Sequence, residues 1–118
     1  MLRRTNTVPL DYGLCCMTVT VYRREGLTRH VLRNAHYELT DELRHSAGVT
    51  QYGRPFLLVI PGQADLAVGD KVLLGEGPEV IAWDELNIAK FPTLGVVQSV
   101  KPRYFRGRLC HMEARGNG

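Results

Sequence analysis

Regular patterning begins at Met17, where apolar and polar positions start to alternate. Met17, Val19 and Val21 fall on one face of an extended segment and Thr18, Thr20 and Tyr22 on the other. This period-two, β-branched pattern predicts a strand over residues 17–23. Glu25-Gly26 supplies the turn that follows. From Arg29 to Glu38, the set His30, Leu32, Asn34, His36 and Glu38 alternates with Arg29, Val31, Arg33, Ala35 and Tyr37, predicting a second strand in which His30 and His36 can share a face, with one helical turn the alternative because β-propensity here is weak. Phe56-Leu57-Leu58-Val59-Ile60 is a continuous apolar run stopped by Pro61-Gly62, as expected of a strand buried on both faces.

Further strands are expected at Lys71–Gly75 after the Gly69-Asp70 turn, at Leu94–Val100, and at Gly107–Ala114 after a turn through Pro102-Arg103-Tyr104. Trp83-Asp84-Glu85-Leu86 reads as one helical turn with acid where the dipole favours it, broken by Phe91-Pro92. Residues 39–54 resist assignment: either Thr40-Asp41-Glu42-Leu43 caps a short helix ended by Gly48 and Gly53, or the stretch is a long loop. The sum predicts a mainly β fold, a small five- or six-stranded β-barrel or sandwich with one or two short helical turns.

Composition sharpens this picture in a few places. At 118 residues the chain suits one domain: an N-terminal arm at 1–16, with turn signals at Pro9 and Tyr12-Gly13, and a barrel domain at 17–116 carrying a long loop at 39–54. Hydrophobic residues at 44% and charged residues at 23% argue for a folded chain, and 12 Gly with 6 Pro favour turns over long helices. No apolar run reaches the roughly 20 residues that span a membrane. Leu2-Arg3-Arg4 is followed by polar residues and Pro9, so no secretion signal is expected. The net charge of +3 is too mild to argue for nucleic-acid binding by itself. Of the 15 basic residues 12 are Arg, whose planar, weakly hydrated fork suits contact surfaces. Three cysteines, Cys15, Cys16 and Cys110, lack metal-ligand spacing and fit reduced thiols in a protein made in the cytoplasm.

Candidate chemistry is sparse. Gly75-Glu76-Gly77-Pro78 lacks the Lys-Ser/Thr of a phosphate loop and reads as a hairpin turn. In one strand, His30 and His36 would lie about 20 Å apart, too far to share an ion. Asp41-Glu42 and Asp84-Glu85 are explained by helix first turns, and Ser46 and Ser99 lack the glycines of a nucleophile elbow. No catalytic residue, cofactor or metal site is expected, and the chain does not read as an enzyme. The sharpest feature is Lys101-Pro102-Arg103-Tyr104-Phe105-Arg106-Gly107-Arg108, with four cations and two aromatics in eight residues. Arg103, Tyr104, Arg106 and Arg108, with Arg44, His45 and Tyr52 from the 39–54 stretch, are the candidate contacts to protein or DNA. Such a tract can form a protein contact patch, track single-stranded nucleic acid, or make a solvated hairpin tip with Phe105 tucked inward.

The order of segments resembles a known family. Val19-Thr20-Val21-Tyr22, the strand at 29–37, the run closing on Ile60-Pro61, Leu66-Ala67-Val68-Gly69-Asp70-Lys71-Val72-Leu73-Leu74-Gly75, Val96-Val97-Gln98-Ser99-Val100 and the terminal Gly107…His111-Met112-Glu113-Ala114-Arg115-Gly116 follow one another as in short proteins from the head-to-tail region of tailed phages and prophages. These are grouped as minor capsid or head–tail connector proteins, of the head-completion or stopper type. The resemblance implies a virion structural protein assembled as a homo-oligomeric ring between the portal or adaptor and the tail. It assigns residues 1–16 as the arm and 39–54 as a channel or docking loop. Contact with genomic DNA in the channel is a further expectation; a membrane partner, a cofactor and a catalytic role are not. A small barrel binding single-stranded nucleic acid through 101–108 is the alternative.

Overall fold

The computed structural model describes residue 13 and residues 15–40, 42–46, 49–79 and 82–118, with backbone alone for 42–46 and 49–52. Eight strands are present among them: β1 (Met17–Tyr22), β2 (Arg29–Leu39), β3 (Glu42–Ser46), β4 (Val49–Gly53), β5 (Pro55–Pro61), β6 (Lys71–Leu74), β7 (Gly95–Phe105) and β8 (Arg108–Asn117). Six close into a barrel in the order β1-β2-β5-β8-β7-β6, every neighbour antiparallel. Among the described residues helical structure is limited to 3₁₀ turns, including Trp83–Glu85, and no helix is long and apolar enough to cross a membrane. The mainly β expectation holds, and the barrel replaces the sandwich. Of the expected arm, residues 1–12 and 14 lie outside the described residues, as do Val80 and Ile81.

Alternation explains the core. Val19, Ala35, Tyr37, Phe56, Leu58, Ile60, Val72, Val97 and Ala114 point inward and pack together, each large side chain contributing roughly 1.5–3 kcal/mol by leaving water. Thr20 and Tyr22, on the outer face of β1, are also fully buried. The connection from β6 to β7 lies over them, adding a second cluster of Tyr22, Leu73, Leu86 and Leu94 against Trp83 and Phe91. Thr20 Oγ1 donates to the Gly75 carbonyl at 2.7 Å and accepts from the Gly77 N–H at 2.8 Å, while Tyr22 Oη donates to the Pro78 carbonyl at 2.6 Å. Lys71 Nζ donates to the carbonyls of Trp83 (3.1 Å) and Leu86 (2.7 Å) and sits 4.6 Å over the Trp83 ring. Burial pushes the Lys71 ammonium pKa down, with nearby Asp84 opposing. Gly75–Pro78 is therefore no hairpin turn; it is latched onto the outside of β1.

Because the strands alternate in direction, the β1–β2 turn, the β5–β6 connection and the β7–β8 turn share one barrel end. At that end the buried Asp70 carboxylate accepts from the N–H groups of Arg24 (3.0 Å) and Ala67 (2.9 Å) and pairs with Arg23 at 2.7 Å, tying two connections together. From the opposite end, β2 and β5 continue into the β3–β4 hairpin. Leu39 pairs with Phe56, the Thr40 N–H donates to the Pro55 carbonyl, and Glu42 pairs with Gly53, so one register runs through both ladders. The described residues of 39–54 are thus neither a capped helix nor an irregular loop: main-chain pairing organises 42–46 and 49–53. Asp41, Ala47 and Gly48 lie outside the described residues.

The turn expected at Pro102-Arg103-Tyr104 is also displaced: β7 runs on to Phe105 and reverses at Arg106-Gly107. Proline is tolerated inside β7 because, among the described residues, this strand pairs beyond Val97 with β8 alone, and none of them sits on its other edge needing a donor.

Candidate interaction surface

The β7–β8 ribbon outruns its neighbour: β5 pairs with β8 only as far as Pro61–His111, whereas β7 and β8 pair on to Phe105–Arg108. Arg106 (φ 52°) and Gly107 (φ 76°) form the reversal, both in the left-handed region that a two-residue hairpin turn matching the strand twist requires. Arginine at the first of these positions is strained by roughly 1–2 kcal/mol. Its guanidinium lies 5.3 Å from the Phe105 ring centroid, so Phe105 is half-covered by its neighbour. Tyr104 is 63% exposed, Arg106 and Arg108 are exposed beside it, and Lys101 is exposed further down β7.

Arg103 does not belong to this patch. Residues 101 and 103 sit opposite Glu113 and His111 on the outer face of the barrel, and Arg103 Nε donates to Glu113 Oε2 at 3.1 Å. Glu113 Oε1 meets His111 Nε2 at 2.9 Å, and both residues are buried although they face outward. Cys15 packs on Val59 and Leu57 of the same face. Arg103 is thereby committed to a buried carboxylate. Of the other candidates, the backbone places Arg44 opposite Gln51, His45 opposite Thr50 and Tyr52 opposite Leu43 on the far ribbon; their side chains lie outside the described residues. The seven candidates are therefore split between opposite ends of the barrel.

Two further groupings are not evident from the sequence, although some of their members, His36, His111, Glu113, Asp84 and Glu85, are named there. His36-Tyr37-Glu38 repeats the His-x-Glu spacing of His111-Met112-Glu113, and His36 Nε2 likewise meets Glu38 Oε1 at 2.8 Å. The strand period puts both members of each pair on one side. A bulge in β2 between Leu32 and Ala35 also turns His36 outward while His30 stays on the side of Leu32, so the two histidines do not share a face. The second set is acidic: Glu76, Glu79, Asp84 and Glu85, all exposed on the β6–β7 connection.

No family, relative or solved structure matches the chain. Function is then to be read from the surface and its chemistry. A cleft of about 220 Å³ lies where β2 and β5 part, with Val21, Leu32 and Ile60 below and His30, Asn34 and Asp65 at its rim. Cys15 is buried, Cys16 exposed, and the Cys110 thiol donates to the Arg108 carbonyl at 3.5 Å. Among the described residues no group of three or more His, Cys, Asp or Glu is placed to hold a metal ion. What the arrangement offers most openly is contact: a cationic, aromatic tip at one end of a closed barrel and a second ribbon at the other.

Proposed function

We propose that this chain is a structural subunit of the phage head–tail joint, a head-completion, stopper or minor capsid protein that assembles as a homo-oligomeric ring between portal or adaptor and tail. The observation that carries this reading is the pair of ribbons at opposite ends of one barrel. The β3–β4 hairpin leaves one end as a continuation of the β2–β5 ladder, and the β7–β8 tip leaves the other. A subunit with a rigid body and an arm at each end can grip a neighbour on either side along an axis. The tip composition supports it, since Tyr and Arg are the residues most enriched where protein interfaces concentrate their energy. In this role the protein is non-enzymatic, takes no cofactor, and resides in the virion neck after synthesis in the host cytoplasm.

A second reading draws on the exposed Tyr104 flanked by Arg106 and Arg108, which could stack and neutralise single-stranded nucleic acid. The diversion of Arg103 to Glu113 removes one of its four cations. Light scattering across concentration, with and without purified portal and tail proteins, separates the two. A ring of defined mass, alone or on addition of those partners, supports the connector. A strict monomer that ignores them and retards single-stranded DNA at low salt refutes it.

A further inference from the structure

Charge is segregated along the second half of the chain. Residues 101–108 hold four cations and no acid, whereas residues 76–90 hold four acids and Lys90 alone among cations. Each segment keeps most of its charge unspent. Among the described residues Lys101, Arg106 and Arg108 make no salt bridge within the chain, and neither do Glu79, Asp84 or Glu85, although the charge of Asp84 is felt by Lys71. Each is also joined to exposed apolar surface: Tyr104 is 63% exposed on the tip and Ile88 45% exposed on the acidic connection. They occupy different parts of the barrel. The tip ends the β7–β8 ribbon, and the described parts of the acidic connection, 76–79 and 82–90, are fixed over the outer face of β1 and β6 by Thr20, Tyr22 and Lys71. The strained Arg106 adds weight, because asparagine or glycine would hold the same turn at lower cost without placing a guanidinium at its apex.

We propose that the β7–β8 tip of one copy docks on the 82–90 part of the β6–β7 connection of the next, so that the occupant of each surface is a second copy of this chain. Two unlike, complementary patches on one subunit make a heterologous contact, which propagates head to tail and closes into a ring when the rotation per subunit permits. This inference rests on the ring reading above and deepens it by naming the two faces. The anchor is Tyr104 with Ile88, and Arg106 and Arg108 opposite Asp84 and Glu85 set the pairing.

The test is a charge swap in the full-length chain, read by sedimentation velocity. Wild type self-associates, and association weakens as salt rises toward about 0.5 M, where screening shortens to a few ångström. R106E/R108E and D84K/E85K each lose self-association by about tenfold or more. An equal mixture of the two co-assembles, because every contact then joins opposite charges, and the fourfold variant recovers association. Circular dichroism melts matching wild type establish that each variant is folded; single reversals R106E and D84K serve if a pair is not. The idea is overturned by a wild type that stays monomeric at the highest soluble concentration, by association indifferent to both reversals, or by a mixture that fails to co-assemble. A ring that survives the reversals would retire these faces and leave the connector reading standing. Loss of single-stranded DNA binding in R106E/R108E, with self-association unchanged, would assign the tip to nucleic acid instead.

Discussion

Thr20→Val tests whether the acidic connection is held by β1 as the geometry indicates. Valine keeps the shape of threonine, so packing at this fully buried site is preserved while both hydrogen bonds of Oγ1 are lost. The two freed groups differ. Gly77 is buried, so its N–H is left without a partner and without water; Gly75 is only half-buried, so its carbonyl can turn to solvent. One stranded buried donor costs about 1–3 kcal/mol, so Thr20→Val is expected to lose about 2 kcal/mol of folding stability. Thr20→Ser retains both bonds and removes one methyl, for about 1 kcal/mol of lost burial and a small void. Urea unfolding of the three proteins should rank wild type above Ser above Val. Hydrogen exchange supplies the local readout, with the Gly77 amide protected in wild type and Ser and released in Val. A Val variant as stable as the Ser variant, or a fast-exchanging Gly77 amide in wild type, would refute the reasoning.

Arg106→Asn should raise stability by about 0.5–1 kcal/mol in the same unfolding assay, because asparagine tolerates the φ of 52° at lower cost, while it weakens self-association. Burial holds the Tyr37 hydroxyl pKa up at about 12, against the opposing charge of Arg54, and that hydroxyl donates to the Thr93 carbonyl at 2.8 Å. Above its ordinary value of 10.0 the unfolded chain ionises first, so stability falls as pH rises from about 10 to 12, by about 2–3 kcal/mol from this residue; Tyr37→Phe should flatten that fall in urea melts taken across the window. Gly116→Ala would put a methyl 1.9 Å from the Val96 carbonyl oxygen, a backbone atom of the paired strand. The variant is expected to lose more than about 3 kcal/mol or to fail to fold, and a melting temperature within a few degrees of wild type would contradict the register.

Much of the barrel is legible in the sequence, since β1, β2, β5 and β6 announce themselves by alternation or by an apolar run. The ribbons are not, and for a common reason. Period-two patterning arises where one side of a strand faces a core, and Glu42–Ser46 with Val49–Gly53 pair in a sheet of their own. Gly53 reads as a helix terminator when in fact it ends a strand and pairs with Glu42. Pro102 misleads in a related way, because a proline excludes a central strand but not one with a vacant edge. Once β7 is drawn through to Phe105, strand alternation separates Lys101 and Arg103 from Pro102 and Tyr104, and the basic tract divides into a part facing Glu113 and His111 and a part at the tip. The acids at 84–85 sit in a 3₁₀ turn whose first-turn preference for acid accounts for them locally, so the sequence does not mark them as part of an exposed acidic set with Glu76 and Glu79.

The shared register of the β2–β5 and β3–β4 ladders makes the far ribbon a ruler. Removing two residues from each of its strands shortens it by about 7 Å and returns every remaining side to the face it had. Removing residues from one strand alone has no such solution, and the mismatch must appear as a bulge or travel down the ladder into the barrel. Reach can therefore be lengthened or shortened in matched steps without touching the pairings from Leu39–Phe56 to His36–Val59 that close the barrel wall. The length of this hairpin can thus be tuned while the body that carries it stays the same.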